Sequence, residues 1–149
     1  LLGLFAAHST SLDHIHAANL WNKLGQKCIE RWHEEQLVRL AKRTLDLVSS
    51  SCEARNLANI AHGVAKCGLQ TRAVHALFAA VAEAAVQSRL AGFTPQNLAS
   101  TVWAYATAGV AADALYAAVA EAAVRSGLVG FKPQNLANTV WAYATAGVA

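Results

Sequence analysis

The chain has 149 residues and a formal net charge of +3 at neutral pH, which allows one folded domain with its own core. Alanine supplies most of its apolar residues, and the long uncharged stretch 90–112 contains Gly92, Pro95 and Gly109, so no membrane insertion is expected. The sequence has no phosphate-binding loop, no nucleophile motif and no zinc-ligand spacing. We therefore expect no enzyme activity, no cofactor or metal, and no small-molecule substrate.

The N-terminal half predicts three helices. The first covers residues 12–25. The second is a long helix from Ile29 to Val48, with charged residues at i,i+4 spacing on one face, as is typical of a solvated outer helix. The third covers 55–69, which aligns with 96–110 at an offset of 41 residues.

The C-terminal half predicts two copies of one helix pair. One helix of the pair runs from about Thr71 to Arg89, and its copy runs from Asp113, as the N-cap, to about Gly127. Both carry an apolar stripe at helical spacing. No segment alternates with period two, so no strand is expected.

Capping residues bracket the other helix of each pair. Thr94 is a good N-cap, Pro95 fits the first helical position, and Gly109 fits the left-handed residue that ends a helix. The second copy keeps the proline and the glycine but has Lys132 in place of the threonine. We therefore expect its first turn to fray more.

A near-perfect duplication defines the fold class. Residues 73–110 and 111–148 align without a gap, and 30 of the 38 positions are identical. A fixed period of this size is typical of stacked repeats. The sequence predicts an all-α, right-handed α-solenoid of about seven helices in antiparallel pairs, which we expect to be a piece of a longer array. The single fragment 1–149 divides into approximate repeats 12–52, 53–92, 93–130 and 131–149, the last incomplete.

The repeated segment also carries a family resemblance. Residues 133–147, Pro-Gln-Asn-Leu-Ala-Asn-Thr-Val-Trp-Ala-Tyr-Ala-Thr-Ala-Gly, resemble the octotricopeptide repeat family, and the resemblance covers about residues 12–149. It implies an RNA-binding helical-repeat protein of mitochondria or chloroplasts. Its expected partners are an organellar transcript or ribosomal RNA, together with neighbouring proteins of a large complex.

A helical wheel divides the first helix of the pair into two faces. Leu98, Val102, Tyr105 and Ala106 form the expected buried face. The expected polar face consists of Gln96, Asn97, Ser100, Ala104 and Thr107. In repeat proteins that bind RNA, such a face reads about one base per repeat with two or three side chains.

One position on the polar face is always able to form hydrogen bonds, yet differs between repeats. The equivalents of Ser100 are His16, Asn59 and Asn138. A position that reads bases needs polar variation, and Asn offers both a donor and an acceptor to a base edge. These residues are therefore candidates for RNA contact. Alternatively, they are solvated polar residues that are common near helix starts.

Two further groups of candidates accompany this position. Asn56, Asn97 and Asn135 are constant one turn earlier and are candidates for contact with the RNA backbone or a shared base edge. Cations lie beside the polar face only in the N-terminal repeats, at Arg55, Lys23 and Lys66. Residues 1–72 have a net charge of +3 and residues 73–149 of zero, so any RNA contact should be stronger at the N-terminal end.

The tryptophans allow two interpretations. Trp103 and Trp141, with equivalents His62 and Asn19, lie at the border between the two faces. An indole at such a border either stacks on a base or packs between repeats, and packing is the favoured interpretation. An alternative function is a non-catalytic scaffold subunit of a large organellar assembly that contacts mainly protein. The uncharged C-terminal repeats favour that alternative.

Overall fold

The computed structural model describes residues 1–27, 33–48 and 51–148, and this part of the chain is helical without any strand. Its α-helices are α1 (Leu2–His8), α2 (His14–Gln26), α3 (Glu34–Leu47), α4 (Ala54–Cys67), α5 (Arg72–Gln87), α6 (Pro95–Ala108), α7 (Asp113–Arg125) and α8 (Pro133–Ala146), with a 3-10 turn at Ser9–Ser11. The expected all-α class is confirmed. The seven expected helices correspond to α2–α8, and α1 precedes them without a signal in the repeat pattern. Within the described ranges, no helix is both long and apolar enough to cross a membrane.

The predicted capping of α6 is confirmed. The Thr94 hydroxyl accepts a hydrogen bond from the Asn97 amide N–H at 3.2 Å, and Asn97 Oδ1 accepts one from the Thr94 amide at 3.2 Å. This reciprocal arrangement satisfies two amides that the helix itself leaves unpaired. Gly109 ends the helix with φ 65° and ψ 30°, in the left-handed region that favours glycine.

One predicted helix start lies outside the described residues, and another differs from the structure. The first turn expected for the long second helix at Ile29 falls on residues 28–32, outside the described residues, and α3 is described from Glu34. Asp113 is the first helical residue of α7, and Ala112 occupies the N-cap. The prediction is wrong by one residue because the chain takes a loop of the same length after Gly109 as after Gly68, so the cap falls three residues beyond each glycine.

The segment 55–69 is offset from 96–110 by 41 residues, whereas the duplicated repeats are offset by 38. The three extra residues lengthen one helix. α5 has 16 residues and α7 has 13. The hydroxyl of Thr71 accepts a hydrogen bond from the Val74 amide at 3.3 Å and so caps the longer helix. Ala112 has no side-chain acceptor for the equivalent role in α7.

The helices pack in two layers. In one layer α2 packs on α4, α4 on α6 and α6 on α8, and in the other α3 packs on α5 and α5 on α7. Each helix therefore contacts the helix two positions later in the chain, as expected for tandem helix pairs. Small residues allow the close approach. A Cβ on Gly63 of α4 would overlap the backbone carbonyl of Trp21 in α2.

Aromatic side chains join the two layers. Tyr105 of α6 is buried, and its hydroxyl donates a hydrogen bond to the Phe78 carbonyl of α5 at 2.6 Å. One repeat later, the Tyr143 hydroxyl donates to the Tyr116 carbonyl at 2.5 Å. The Phe78–Tyr105 and Tyr116–Tyr143 rings meet edge to face, with centroids 4.9 and 5.1 Å apart. These contacts fix the rotation of α6 and α8, and hence which face of each is left open.

Candidate nucleic-acid interface

The layer of α2, α4, α6 and α8 leaves one narrow face uncovered. On α6 the uncovered side chains are Gln96, Ser100, Trp103 and Thr107, all of them exposed or half-buried. Their spacing of four, three and four residues keeps them on one side of the helix. The face that the wheel predicts to be buried is confirmed at all four positions, Leu98, Val102, Tyr105 and Ala106.

The polar face predicted for α6 is too wide. Ala104 is fully buried, although the wheel places it opposite the core. The reason is tertiary: α4 and α8 flank α6 on both sides within its own layer, and α7 of the other layer also contacts it. A wheel assumes one buried face, whereas a helix in the middle of a layer has three.

Equivalent side chains continue this face across the neighbouring helices, and we call the whole set the open stripe. It consists of Leu12, His16, Asn19 and Lys23 at α2, Arg55, Asn59, His62 and Lys66 on α4, Gln96, Ser100, Trp103 and Thr107 on α6, and Gln134, Asn138, Trp141 and Thr145 on α8. Each of these residues is exposed or half-buried. Because the four helices pack in sequence, the stripe crosses all four of them.

The predicted base-reading position lies within the open stripe on all four helices. The Ser100 hydroxyl donates a hydrogen bond to the Gln96 carbonyl at 2.7 Å, so only its lone pairs are available to a ligand. Asn138 Oδ1 accepts a hydrogen bond from Gln134 Nε2 at 2.8 Å, which leaves its amide N–H groups as donors. The two duplicated repeats therefore present opposite hydrogen-bonding chemistry at this position.

The other two members of this column are also accessible. His16 is exposed, and its Nδ1 lies 2.8 Å from Asp13 Oδ1. The His16 backbone N–H donates to the same carboxylate and lowers the pKa of Asp13, with a smaller contribution from the nearby His16 ring. Asn59 is half-buried on α4. Assignment of these side chains to RNA stays a prediction.

The constant asparagines have structural surroundings that the sequence pattern does not reveal. Asn97 and Asn135 are the third residues of α6 and α8, and their Oδ1 atoms accept the backbone N–H of Thr94 and Lys132 at 3.2 and 3.0 Å. Asn56 and Asn135 are buried. The Asn56 Nδ2 group has no hydrogen-bond partner among the described residues. These three therefore lie beside the open stripe, and two of them act as helix caps.

The cationic candidates lie in the N-terminal part of the open stripe. Arg55, Lys23 and Lys66 are all exposed. Lys23 and Lys66 each lie in the last turn of their helix, where the helix dipole favours positive charge. The equivalent positions on α6 and α8 are Thr107 and Thr145. The structure thus places the positive charge along the α2 and α4 part of the stripe.

An aromatic row runs beside the predicted base-reading position. The rings of His62 and Trp103 have centroids 5.1 Å apart, and those of Trp103 and Trp141 lie 6.5 Å apart. Burial, together with the nearby charge of Lys66, lowers the pKa of His62, so this ring is neutral at pH 7. The equivalent spacing of the three residues in the sequence is the signal for this row, although sequence reasoning treats each ring separately.

Two further features complete the surface. A cavity of about 450 Å³ lies at the N-terminal end of the stripe, where His16, Asn19 and Lys23 meet the apolar side chains of Leu1 and Phe5. Among the described residues, no three His, Cys, Asp or Glu side chains come together as metal ligands would.

The fold and this surface define a class: an all-helical protein of tandem helix pairs with one open polar and aromatic stripe. Residues 5–120 match the family described as the Tbc2 translation factor, N-terminal domain, so the chain belongs to that family. A comparison with curated proteins finds no match. The expected membership of the octotricopeptide repeat family is wrong, since the matching family is the Tbc2 one and nothing supports the other.

Proposed function

We propose that this chain binds single-stranded RNA through the open stripe, as a non-catalytic α-solenoid module. The observation that carries the proposal is the register of the stripe. Polar side chains of different hydrogen-bonding character occupy one equivalent position on four successively packed helices. Single-stranded RNA presents unpaired base edges at regular intervals, which is the kind of ligand that a linear array of side chains recognises.

The family description supports this proposal. The matching family is named for a translation factor, and translation factors act on RNA or on assemblies that contain it. Under this proposal RNA is the main partner, and neighbouring proteins of a larger complex are further partners. Location in a mitochondrion or chloroplast, and the division into the repeats given above, remain predictions.

Electrostatics supports a polarity in the RNA contact. Phosphate neutralisation dominates most RNA affinity, and the exposed cations of the stripe are confined to α2 and α4. RNA therefore gains most of its affinity from the N-terminal half of the stripe. The half on α6 and α8, with Ser100, Asn138 and the tryptophans, contributes base contacts.

Substitution of the stripe cations tests the proposal. The triple variant Lys23→Gln, Arg55→Gln and Lys66→Gln should weaken binding to a pool of single-stranded RNA in fluorescence anisotropy. It should also reduce the slope of log K against log salt by about 2, because each phosphate contact on a single strand contributes about 0.7. Salt-independent binding, or no binding by the unaltered chain, would count against the proposal.

A matched control keeps the change in net charge and moves it to the other layer. Arg39 and Lys42 of α3 and Arg72 of α5 are exposed on helices that do not carry the stripe. Replacing these three by Gln removes the same charge and should leave most of the affinity and the salt slope unchanged. Equal losses in the two triple variants would show that net charge alone drives the binding.

The base-reading position has its own test. Asn138→Ser should change the base preferred at one RNA position. It replaces a side chain with available N–H donors by a serine, and the equivalent Ser100 offers mainly an acceptor. The reciprocal variant Ser100→Asn should alter the preference at the neighbouring position. Both sites are half-buried, so thermal unfolding should change little. Selection from a randomised RNA pool measures the preference.

A scaffold role is the second candidate, favoured by the apolar surface at the C-terminal end. Val124, Val129 and Val140 are exposed to 78, 77 and 69%. Val124 lies on α7 and Val140 on α8, and a contiguous exposed apolar patch is typical of a protein contact. If the chain is mainly a scaffold, the triple substitution of the stripe cations should leave assembly with its partner proteins intact.

A further inference from the structure

We propose that one unpaired nucleobase of the bound RNA inserts between the indole rings of Trp103 and Trp141. This inference rests on the proposed RNA binding and gives the open stripe a second mode of contact, ring stacking beside hydrogen bonding. It makes the groove between α6 and α8 a nucleobase site of defined size.

The separation of the rings selects this pair. Stacked bases lie about 3.4 Å apart, so a base between two rings needs about 6.8 Å. The centroids of Trp103 and Trp141 are 6.5 Å apart, with 33° between the planes. The His62 and Trp103 centroids are only 5.1 Å apart. The two indoles must therefore move apart slightly and turn toward parallel to admit a base, whereas His62 and Trp103 would have to separate by more.

Exposure separates these two tryptophans from a structural one. Trp21 is fully buried, and its Nε1–H donates a hydrogen bond to Thr44 Oγ1 at 2.9 Å. Trp103 is half-buried and Trp141 is 46% exposed. Within the described residues, neither of their indole N–H groups donates a hydrogen bond. Buried indoles usually find such a partner, so these two rings are partly open to the surface, although Trp103 also packs against the core.

The residues around the rings complete a base site. Ser100 and Asn138 precede Trp103 and Trp141 by three residues on the same helices, so each pair lies side by side on the helix surface. Stacking accepts any base, because every base has a π face. Selectivity then comes from the two polar side chains at the edge of the inserted base. The ring of His62 also packs against Trp103, with the centroids 5.1 Å apart.

The experiment compares variants of Trp141, since this ring is exposed and its removal leaves the core intact. Binding of a short oligouridine to the full chain is measured by fluorescence anisotropy. Trp141→Ala should bind about 5- to 150-fold more weakly, the fold-change that corresponds to loss of one base–aromatic stack of about 1–3 kcal/mol. Trp141→Phe should lose less. The matched control Val140→Ala removes exposed apolar surface from the adjacent position and should bind as the unaltered chain does.

A second measurement follows the indole rings directly in the unaltered sequence and uses variants only to assign the signals. The chain is labelled with 5-fluorotryptophan, and the fluorine resonances are assigned by single Trp→Phe replacement. Addition of oligouridine should shift the resonances of Trp103 and Trp141 and leave that of buried Trp21 in place. The same oligomer with abasic sugars should shift neither.

The outcomes distinguish this inference from the proposed function. If oligouridine binds with the expected salt dependence but Trp141→Ala binds equally well and the two resonances do not move, base insertion is overturned and RNA binding stands. If no single-stranded RNA binds the unaltered chain, both fall. If abasic RNA binds as tightly as oligouridine, the contact is limited to the backbone and the inserted base is again overturned.

Discussion

Single hydroxyl groups hold the two helix layers in register. Tyr105 and Tyr143 each donate a hydrogen bond to a carbonyl 27 residues earlier, in the helix that precedes their own. Only the neutral phenol donates this bond. Burial raises the pKa of Tyr105 and of Tyr143, and raises the pKa of Tyr116 to about 12. The same side chains that align the repeats therefore make the fold sensitive to alkali.

We expect stability to fall as the pH rises above about 10, the ordinary pKa of tyrosine. The unfolded chain then loses phenolic protons that the folded chain retains. The tyrosines therefore contribute their full stabilisation below the pKa of an unfolded tyrosine, and this stabilisation is lost as the pH rises through their pKa values in the folded chain. Thermal unfolding at a series of alkaline pH values measures this. Tyr105→Phe should cost about 0.5–1.5 kcal/mol at neutral pH and flatten the alkaline decline.

Lysine deprotonation affects the Tyr105→Phe variant and the unaltered chain alike, so the difference between their pH profiles isolates the phenol. Parallel profiles would show that Tyr105 does not contribute to the alkaline loss.

At the scale of one element, α6 and α8 differ at the N-cap before their first turn as well as at Ser100 and Asn138. Thr94 supplies an oxygen to the Asn97 amide, whereas the side chain of Lys132 supplies none and only the reverse bond, from the Lys132 amide to Asn135 Oδ1, remains. A missing N-cap leaves a helix amide unpaired and raises the tendency of the first turn to open.

Lys132→Thr should therefore stabilise the chain by about 0.5–2 kcal/mol, since it restores the second half of the capping box. The reciprocal variant Thr94→Lys should destabilise it by a similar amount. Urea unfolding followed by circular dichroism gives the free energies, and amide hydrogen exchange at Asn135 reports the local opening. Unchanged exchange at Asn135 in Lys132→Thr would contradict the capping argument.

At the scale of the whole molecule, position in the stack decides what a residue does. Val102 and Val140 are equivalent residues in nearly identical sequence surroundings, yet Val102 is fully buried and Val140 is 69% exposed. Leu98 and Leu136 differ in the same sense, with 5 and 37% exposed. The helix α8 packs on α6, and among the described residues no later helix packs on α8 in the same layer.

This pair of valines provides an internally controlled prediction. Val102→Ala should cost about 1.5–3 kcal/mol of unfolding free energy, because it removes fully buried apolar surface and leaves a cavity. Val140→Ala should change it by no more than about 0.5 kcal/mol. Both are measured by urea unfolding under the same conditions. Equal losses would mean that α8 is covered in solution.

Much of the fold follows from local signals in the sequence. Thr94, Pro95 and Gly109 predict the ends of α6 correctly, because capping depends on the few residues around each end. Ala112 shows the limit, since the cap of α7 is set by the length of the preceding loop rather than by the better capping residue beside it. The prediction that Ala104 is on the polar face fails for a different reason. A helical wheel of one helix contains no information about the helices on either side of it.

The candidate site follows the same division. The sequence identifies the variable column of His16, Asn59, Ser100 and Asn138 by alignment alone. It cannot show that Asn97 and Asn135 cap helices, or that the rings of His62, Trp103 and Trp141 come into a row, since these depend on which side chains meet after folding.

The sequence by itself determined the helical class, the repeat period and the capping residues at the ends of the duplicated helices, because helix formation and capping are local. Only the tertiary structure decided which of two identical residues is buried, how narrow the open stripe is, and that two indoles lie 6.5 Å apart across neighbouring helices. The physical reason is that a side chain in a stacked repeat is covered by residues about 38 positions away. Two nearly identical repeats therefore expose different surfaces at different places in the stack.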